Sequence, residues 1–121
     1  MSIVEIKVIE LEEYNEPSEE VVSAELTTPI DSVDGAFYLH QERDDKYLVI
    51  AQNEGAEDSE LVIKQGNGIQ GVVDKNITIG AGKTVYFTLE SGCFKNISGE
   101  NKGKVIFNGP EDIQLAVVKL P

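Results

Sequence analysis

The chain has 121 residues, with 22 acidic against 10 basic side chains, a net charge of -12, and 40% hydrophobic residues. A chain of this length removes roughly two thirds of its surface from water on folding, which suits one domain over residues 1–121 and favours neither disorder nor two domains. Its sign excludes nucleic acid and anionic membranes as partners, since both recruit Lys and Arg.

No apolar run approaches the ~20 residues of a membrane span. The first residues lack the basic start and long apolar stretch of a secretion signal, so synthesis is expected in the cytosol. One cysteine, Cys93, and one histidine, His40, put an internal disulfide and the zinc-binding Cys and His sets out of reach. No cofactor or metal is expected.

The first elements are the hardest to read. Residues 3–9 alternate as a strand would, with Val4, Ile6 and Val8 opposite Ile3, Glu5, Lys7 and Ile9. The charge concentrates just beyond them: residues 1–60 hold 17 acidic and 3 basic side chains, whereas residues 61–121 hold 5 and 7. Its densest stretch is Glu10, Glu12, Glu13, Glu16, Glu19 and Glu20. That stretch reads either as a solvated face that keeps a small domain soluble or as a contact for a basic protein surface. Pro17 and the glutamates after it suit a first helical turn, but Val21, Val22, Ala24 and Leu26 fit period two slightly better than 3.6, and a strand is favoured.

Strands are then predicted at 37–40, 47–51, 61–63, 77–79, 84–90, 104–108 and 113–117. In 84–90, Val85, Phe87 and Leu89 point one way while Thr84, Tyr86, Thr88 and Glu90 point the other. Segments 47–51 and 61–63 are apolar at every position, which predicts central strands covered on both faces. Turns fall at Asp34-Gly35, 53–55, Asn67-Gly68, 80–82, Ser91-Gly92, 98–103 and 108–110. The pattern predicts an all-β, single-domain antiparallel sandwich or flattened barrel of roughly seven to nine strands. An acidic N-terminal arm over residues 1–20 stays open as an alternative. An unpaired strand there would complete a neighbour's sheet through its backbone, which makes Ile3, Val4, Ile6, Val8, Glu10, Glu12 and Glu13 the candidate protein-binding residues.

Several motifs mimic chemistry. Gly66-Asn67-Gly68-Ile69-Gln70-Gly71 spells the dinucleotide pattern, but residues 72–79 carry no helical period on which a pyrophosphate would sit. Gly80-Ala81-Gly82-Lys83-Thr84 lacks the glycine a phosphate-binding loop needs at position 77, which is Ile77. His40 lies near Asp44 and Asp45, yet no spacing selects a Ser/His/Asp or Cys/His set, and Cys93 reads as an inert turn or buried thiol. Residues 31–35 miss the calcium-loop spacing. Asn76 and Asn96 match glycosylation acceptors, and without a secretory route they read as strand-edge asparagines. Tyr14, Tyr38, Tyr47 and Tyr86 are candidates for stacking on sugar rings, a role weakened by the absence of Trp.

A resemblance adds to these readings. Ala24-Glu25-Leu26-Thr27-Thr28-Pro29, Val49-Ile50-Ala51-Gln52-Asn53 and Ile63-Lys64-Gln65-Gly66-Asn67-Gly68-Ile69-Gln70-Gly71-Val72 carry its first half. Leu89-Glu90-Ser91-Gly92, Phe94-Lys95-Asn96, Lys102-Gly103-Lys104-Val105 and Val117-Val118-Lys119-Leu120-Pro121 carry the rest. Over about four fifths of its length the chain resembles the small virion proteins encoded beside the major capsid gene in tailed phages and prophages of Gram-positive bacteria. The resemblance implies a non-enzymatic capsid-associated role, as a head decoration or cementing protein, in a homo-oligomer such as a trimer. Capsid or other virion subunits are the implied partners. Because DNA phosphate would repel a chain of net charge -12, the outer capsid surface is the expected location. A carbohydrate- or receptor-binding module is the alternative.

Overall fold

The computed structural model describes residues 3–11, 14, 28–67 and 73–121. Its strands are β1 (Val4–Glu5), β2 (Val8–Glu10), β3 (Thr28–Pro29), β4 (Ala36–Leu39), β5 (Tyr47–Asn53), β6 (Ser59–Ile63), β7 (Lys75–Ile79), β8 (Thr84–Phe87), β9 (Lys104–Asn108) and β10 (Ile113–Lys119). A 3-10 turn, Asp44–Lys46, precedes β5, and one helical turn, α1 (Ser91–Phe94), follows β8. The protein is an all-β sandwich of two five-stranded sheets. One runs β1-β4-β9-β6-β7 and the other β2-β10-β5-β8, with β3 also on β10.

The strand order has a specific meaning. Strands β3, β10, β5 and β8 lie in one sheet and β4, β9, β6 and β7 in the other, which is the double Greek key of a jelly roll. These eight strands pair antiparallel throughout. The alternation that predicted them is what fills the core: Val49 and Ala51 of β5 and Leu115 and Val117 of β10 meet Tyr38 of β4, Leu61 and Ile63 of β6, and Val105 and Phe107 of β9. In β5, only Tyr47, Val49, Ala51 and Asn53 are buried, while Leu48, Ile50 and Gln52 are half-buried. The expectation of full cover on both faces fails for β5 and for β6, where Val62 likewise lies half-buried, because among the described residues no second layer sits over the outer side.

The N-terminal segment corrects a second expectation. Residues 3–9 are not one free strand but two short ones, joined at Ile6 and Lys7, that pass from one sheet to the other. β1 pairs parallel with β4 (Val4 opposite Ala36) and β2 parallel with β10 (Val8 opposite Val117), so both sheets are mixed. Backbone bonds secure the passage, from Val4 N–H to Gly35 O (3.1 Å), Ile6 N–H to Phe37 O (2.7 Å) and Leu11 N–H to Lys119 O (3.0 Å). Ile6 is 2% exposed at the crossing and belongs to the core. The predicted strand around Val21 to Leu26 lies outside the described residues.

The turn at Asp34-Gly35 shows why a glycine is required. Gly35 has φ +83°, and a Cβ there would lie 2.3 Å from the carbonyl oxygen of Phe107. The Asp31 carboxylate closes the same turn by accepting from the Val33 and Asp34 N–H groups at 2.8 and 3.0 Å.

Candidate functional site

A chain of hydrogen bonds runs from the buried core toward the surface at one end of the sandwich. Tyr38 and His40 are two residues apart, both side chains point into the core at the end of β4, and they are 0% and 1% exposed. The Tyr38 hydroxyl meets His40 Nδ1 at 2.7 Å, and His40 Nε2 meets Asp44 Oδ1 at 2.9 Å. Since a carboxylate only accepts, Nε2 carries the proton and Nδ1 accepts from Tyr38. The second Asp44 oxygen accepts from the Ser91 N–H at 3.1 Å, tying the 3-10 turn to α1. Tyr47 packs against the imidazole at 4.5 Å between ring centres, and its hydroxyl accepts from the N–H groups of Gln41 and Glu42 at 3.1 Å each.

The electrostatics follow from this geometry. Burial pushes His40 below its ordinary value, against the opposing pull of the Asp44 hydrogen bond and charge. For Asp44, partial burial pushes upward, but the hydrogen bonds from the Ser91 N–H and hydroxyl and from His40 outweigh it and hold the carboxyl low. Burial also raises Tyr38, with Tyr47 and Asp44 adding to it.

The set contains Ser, His and Asp, yet in the wrong order for nucleophilic catalysis. A triad needs the imidazole between hydroxyl and carboxylate. Here the carboxylate sits between Ser91 and His40, and the other imidazole nitrogen is occupied by Tyr38. The arrangement clips the β4–β5 connection to the β8–β9 connection. Cys93 is half-buried beside it, and its carbonyl accepts from Gly66 N–H at 3.0 Å.

The other sequence candidates are dispersed. Gly66 packs against the Lys95 carbonyl, and the next described element is strand β7 rather than a helix. Gly80 and Lys83 close the β7–β8 turn by a 3.0 Å bond. Asn76 is exposed on β7, while the Asn96 amide donates to Lys104 O at 3.1 Å. Of the tyrosines, Tyr38 and Tyr47 are buried and give no stacking face, which corrects that expectation; Tyr14 and Tyr86 are 73% and 65% exposed. Among the described residues no three His, Cys, Asp or Glu side chains gather as metal ligands, and no helix is long and apolar enough to cross a membrane.

The candidate protein-binding residues divide. Ile6 is core, Ile3, Val4 and Val8 are half-buried, Glu10 is exposed with Lys119 Nζ 3.4 Å away, and Glu12 and Glu13 lie outside the described residues. The β1–β2 passage rims a groove of about 240 Å³ with Gln41, Glu42 and Lys119. Two further grooves share this end. One of about 410 Å³ lies against Lys46, Lys119 and Pro121, and one of about 430 Å³ lies between His40-Gln41 and Lys95, Ile97 and Lys102. Sequence reading missed the last of these, because its lysines look unremarkable until the fold sets them opposite residue 41.

No family model, curated protein or solved structure matches the chain.

Proposed function

We propose that the chain is a non-enzymatic structural virion protein that binds capsid subunits on the outer shell as a head decoration or stabilising protein and assembles with copies of itself. The observation that carries the reading is the jelly-roll strand order around a core filled by the chain's own side chains. Viral capsid and lectin domains are common users of that architecture. The support is analogy of fold, joined to the sequence resemblance over residues 24–121. The net charge of -12 favours a shell exterior over a DNA-filled interior.

Attachment through a free N-terminal arm no longer fits, since residues 3–11 are hydrogen-bonded into both sheets. Binding would instead use the preformed rim around residues 40–42. Electron microscopy of capsids mixed with the protein tests this: extra density on the shell supports it, and bare shells count against it.

One observation favours carbohydrate or receptor binding, namely Tyr86 standing 65% exposed on β8, an edge strand. A glycan array checks it. Hits lost in Tyr86→Ala would favour that role, and no hits would remove it.

A further inference from the structure

Residues 95–104 hold Lys95, Lys102 and Lys104 against one carboxylate, Glu100, and so account for the whole excess of two positive charges in residues 61–121. The turn that presents them is tightly held. Asn96 N–H donates to Lys104 O at 3.0 Å, Gly103 N–H to Asn96 O at 2.7 Å, and both Gly99 and Gly103 take positive φ. From the neighbouring loop the Asn67 side chain accepts from Ile97 N–H at 2.7 Å and donates to Ser98 O at 3.0 Å. The result is a fixed platform with Lys95, Lys102 and a 50% exposed Ile97 facing the groove beside Gln41.

Among the described residues none of these lysines forms an ion pair: the pairs there join His40 to Asp44, Arg43 to Asp45, Lys64 to Asp74 and Lys119 to Glu10. Lys104 instead lies 4.4 Å over the Phe37 ring. A basic groove on a chain of net charge -12 calls for a carboxylate-rich occupant, and residues 10–20 supply one, with six glutamates and no basic residue.

Within one chain the start of that run is held elsewhere. Leu11 N–H bonds Lys119 O, and the Tyr14 hydroxyl donates to Pro121 O at 3.1 Å. The groove at Lys119 and Pro121 shares no lining residue with the lysine groove. We infer that the lysine groove receives the glutamates that follow Leu11, within residues 12–20, of a second copy of this chain. This names the surface behind the self-assembly proposed above and rests on that part of the reading. Single exposed pairs contribute little, so the contact depends on several glutamates acting together and on Ile97 giving the segment an apolar seat.

Sedimentation velocity tests it. The intact chain is expected to self-associate at about 0.1 M salt and to dissociate at about 1 M, where the screening length falls from ~10 Å to ~3 Å. Lys95→Glu with Lys102→Glu should sediment as a monomer at about 0.1 M salt, and so should Glu12→Lys with Glu13→Lys. Mixing the two variants should restore a complex by exchanging the charges. Circular dichroism establishes that both variants fold. An intact chain that stays monomeric, a lysine variant that associates like the parent, or a mixture that fails to associate would each overturn the inference. A monomeric intact chain whose Lys95 and Lys102 signals move in Glu12→Lys with Glu13→Lys would show docking within one chain, which also overturns it. Capsid binding is scored separately: if the lysine variant still decorates shells as a monomer, the groove assignment stands and capsid attachment uses another surface. If the parent associates but binds no shell, the virion reading fails alone.

Discussion

His40 shows how a single side chain sets the tolerance of one end of the fold. Its imidazole satisfies the Tyr38 hydroxyl and Asp44 Oδ1 together, so His40→Ala leaves the buried Tyr38 hydroxyl without a partner, leaves Asp44 only its bonds from Ser91, and opens a space against Tyr47. The expected loss is about 2–4 kcal/mol, read from urea midpoints. Burial lowers the folded-state pKa below the unfolded value of 6.5, so the unfolded chain takes the extra proton first. Stability is therefore full above pH 6.5 and declines as pH falls toward the folded value, by at most about 1.4 kcal/mol per pH unit. His40→Gln should flatten that decline; an unchanged slope would show that His40 titrates alike in both states. Asp44 has its folded value lowered too, so its contribution disappears only below pH 3.8. Gly35→Ala meets both a positive φ and the Phe107 carbonyl. A cost of at least about 1–3 kcal/mol is expected from the backbone strain alone.

At the scale of elements, β1 and β2, like β3, have little of their own to hold them. They form two and three paired positions, both parallel, and depend on Ile6 as a plug between the sheets. Ile6→Ala should cost about 2–5 kcal/mol. The same change should raise amide exchange first at Ile6 and Leu11, whose N–H groups bond Phe37 O and Lys119 O. Uniform acceleration across β5 and β10 would instead show that the segment opens only with the whole fold.

The same elements show what was legible. Segment 104–108 coincides with β9 because Val105 and Phe107 face the core while their neighbours lie half-buried, a period that local sequence records. Residues 3–9 carry the same period, yet nothing local reveals that the chain changes sheets at Ile6, since the partners that decide it, β4 and β10, lie far along the sequence. The apolar run of β5 reads as doubly covered because composition records affinity for a core without recording whether a second layer exists. Asp44 was visible as a neighbour of His40, but its link to Ser91 spans 47 residues and has no sequence signature. The lysine groove was illegible for the same reason.

For the whole molecule, charge and architecture point the same way. The acidic excess lies in residues 1–60, the small basic excess lies in one turn, and between them the two sheets enclose an apolar core. Under the proposed function these are the surfaces offered to other proteins. For the proposed capsid role, the most direct measurement is cryo-electron microscopy of tailed-phage capsids incubated with the purified protein in molar excess. The expected result is additional density of this fold at regular lattice positions on the outer face. Shells that stay bare at saturating protein, or density found only inside, would contradict it.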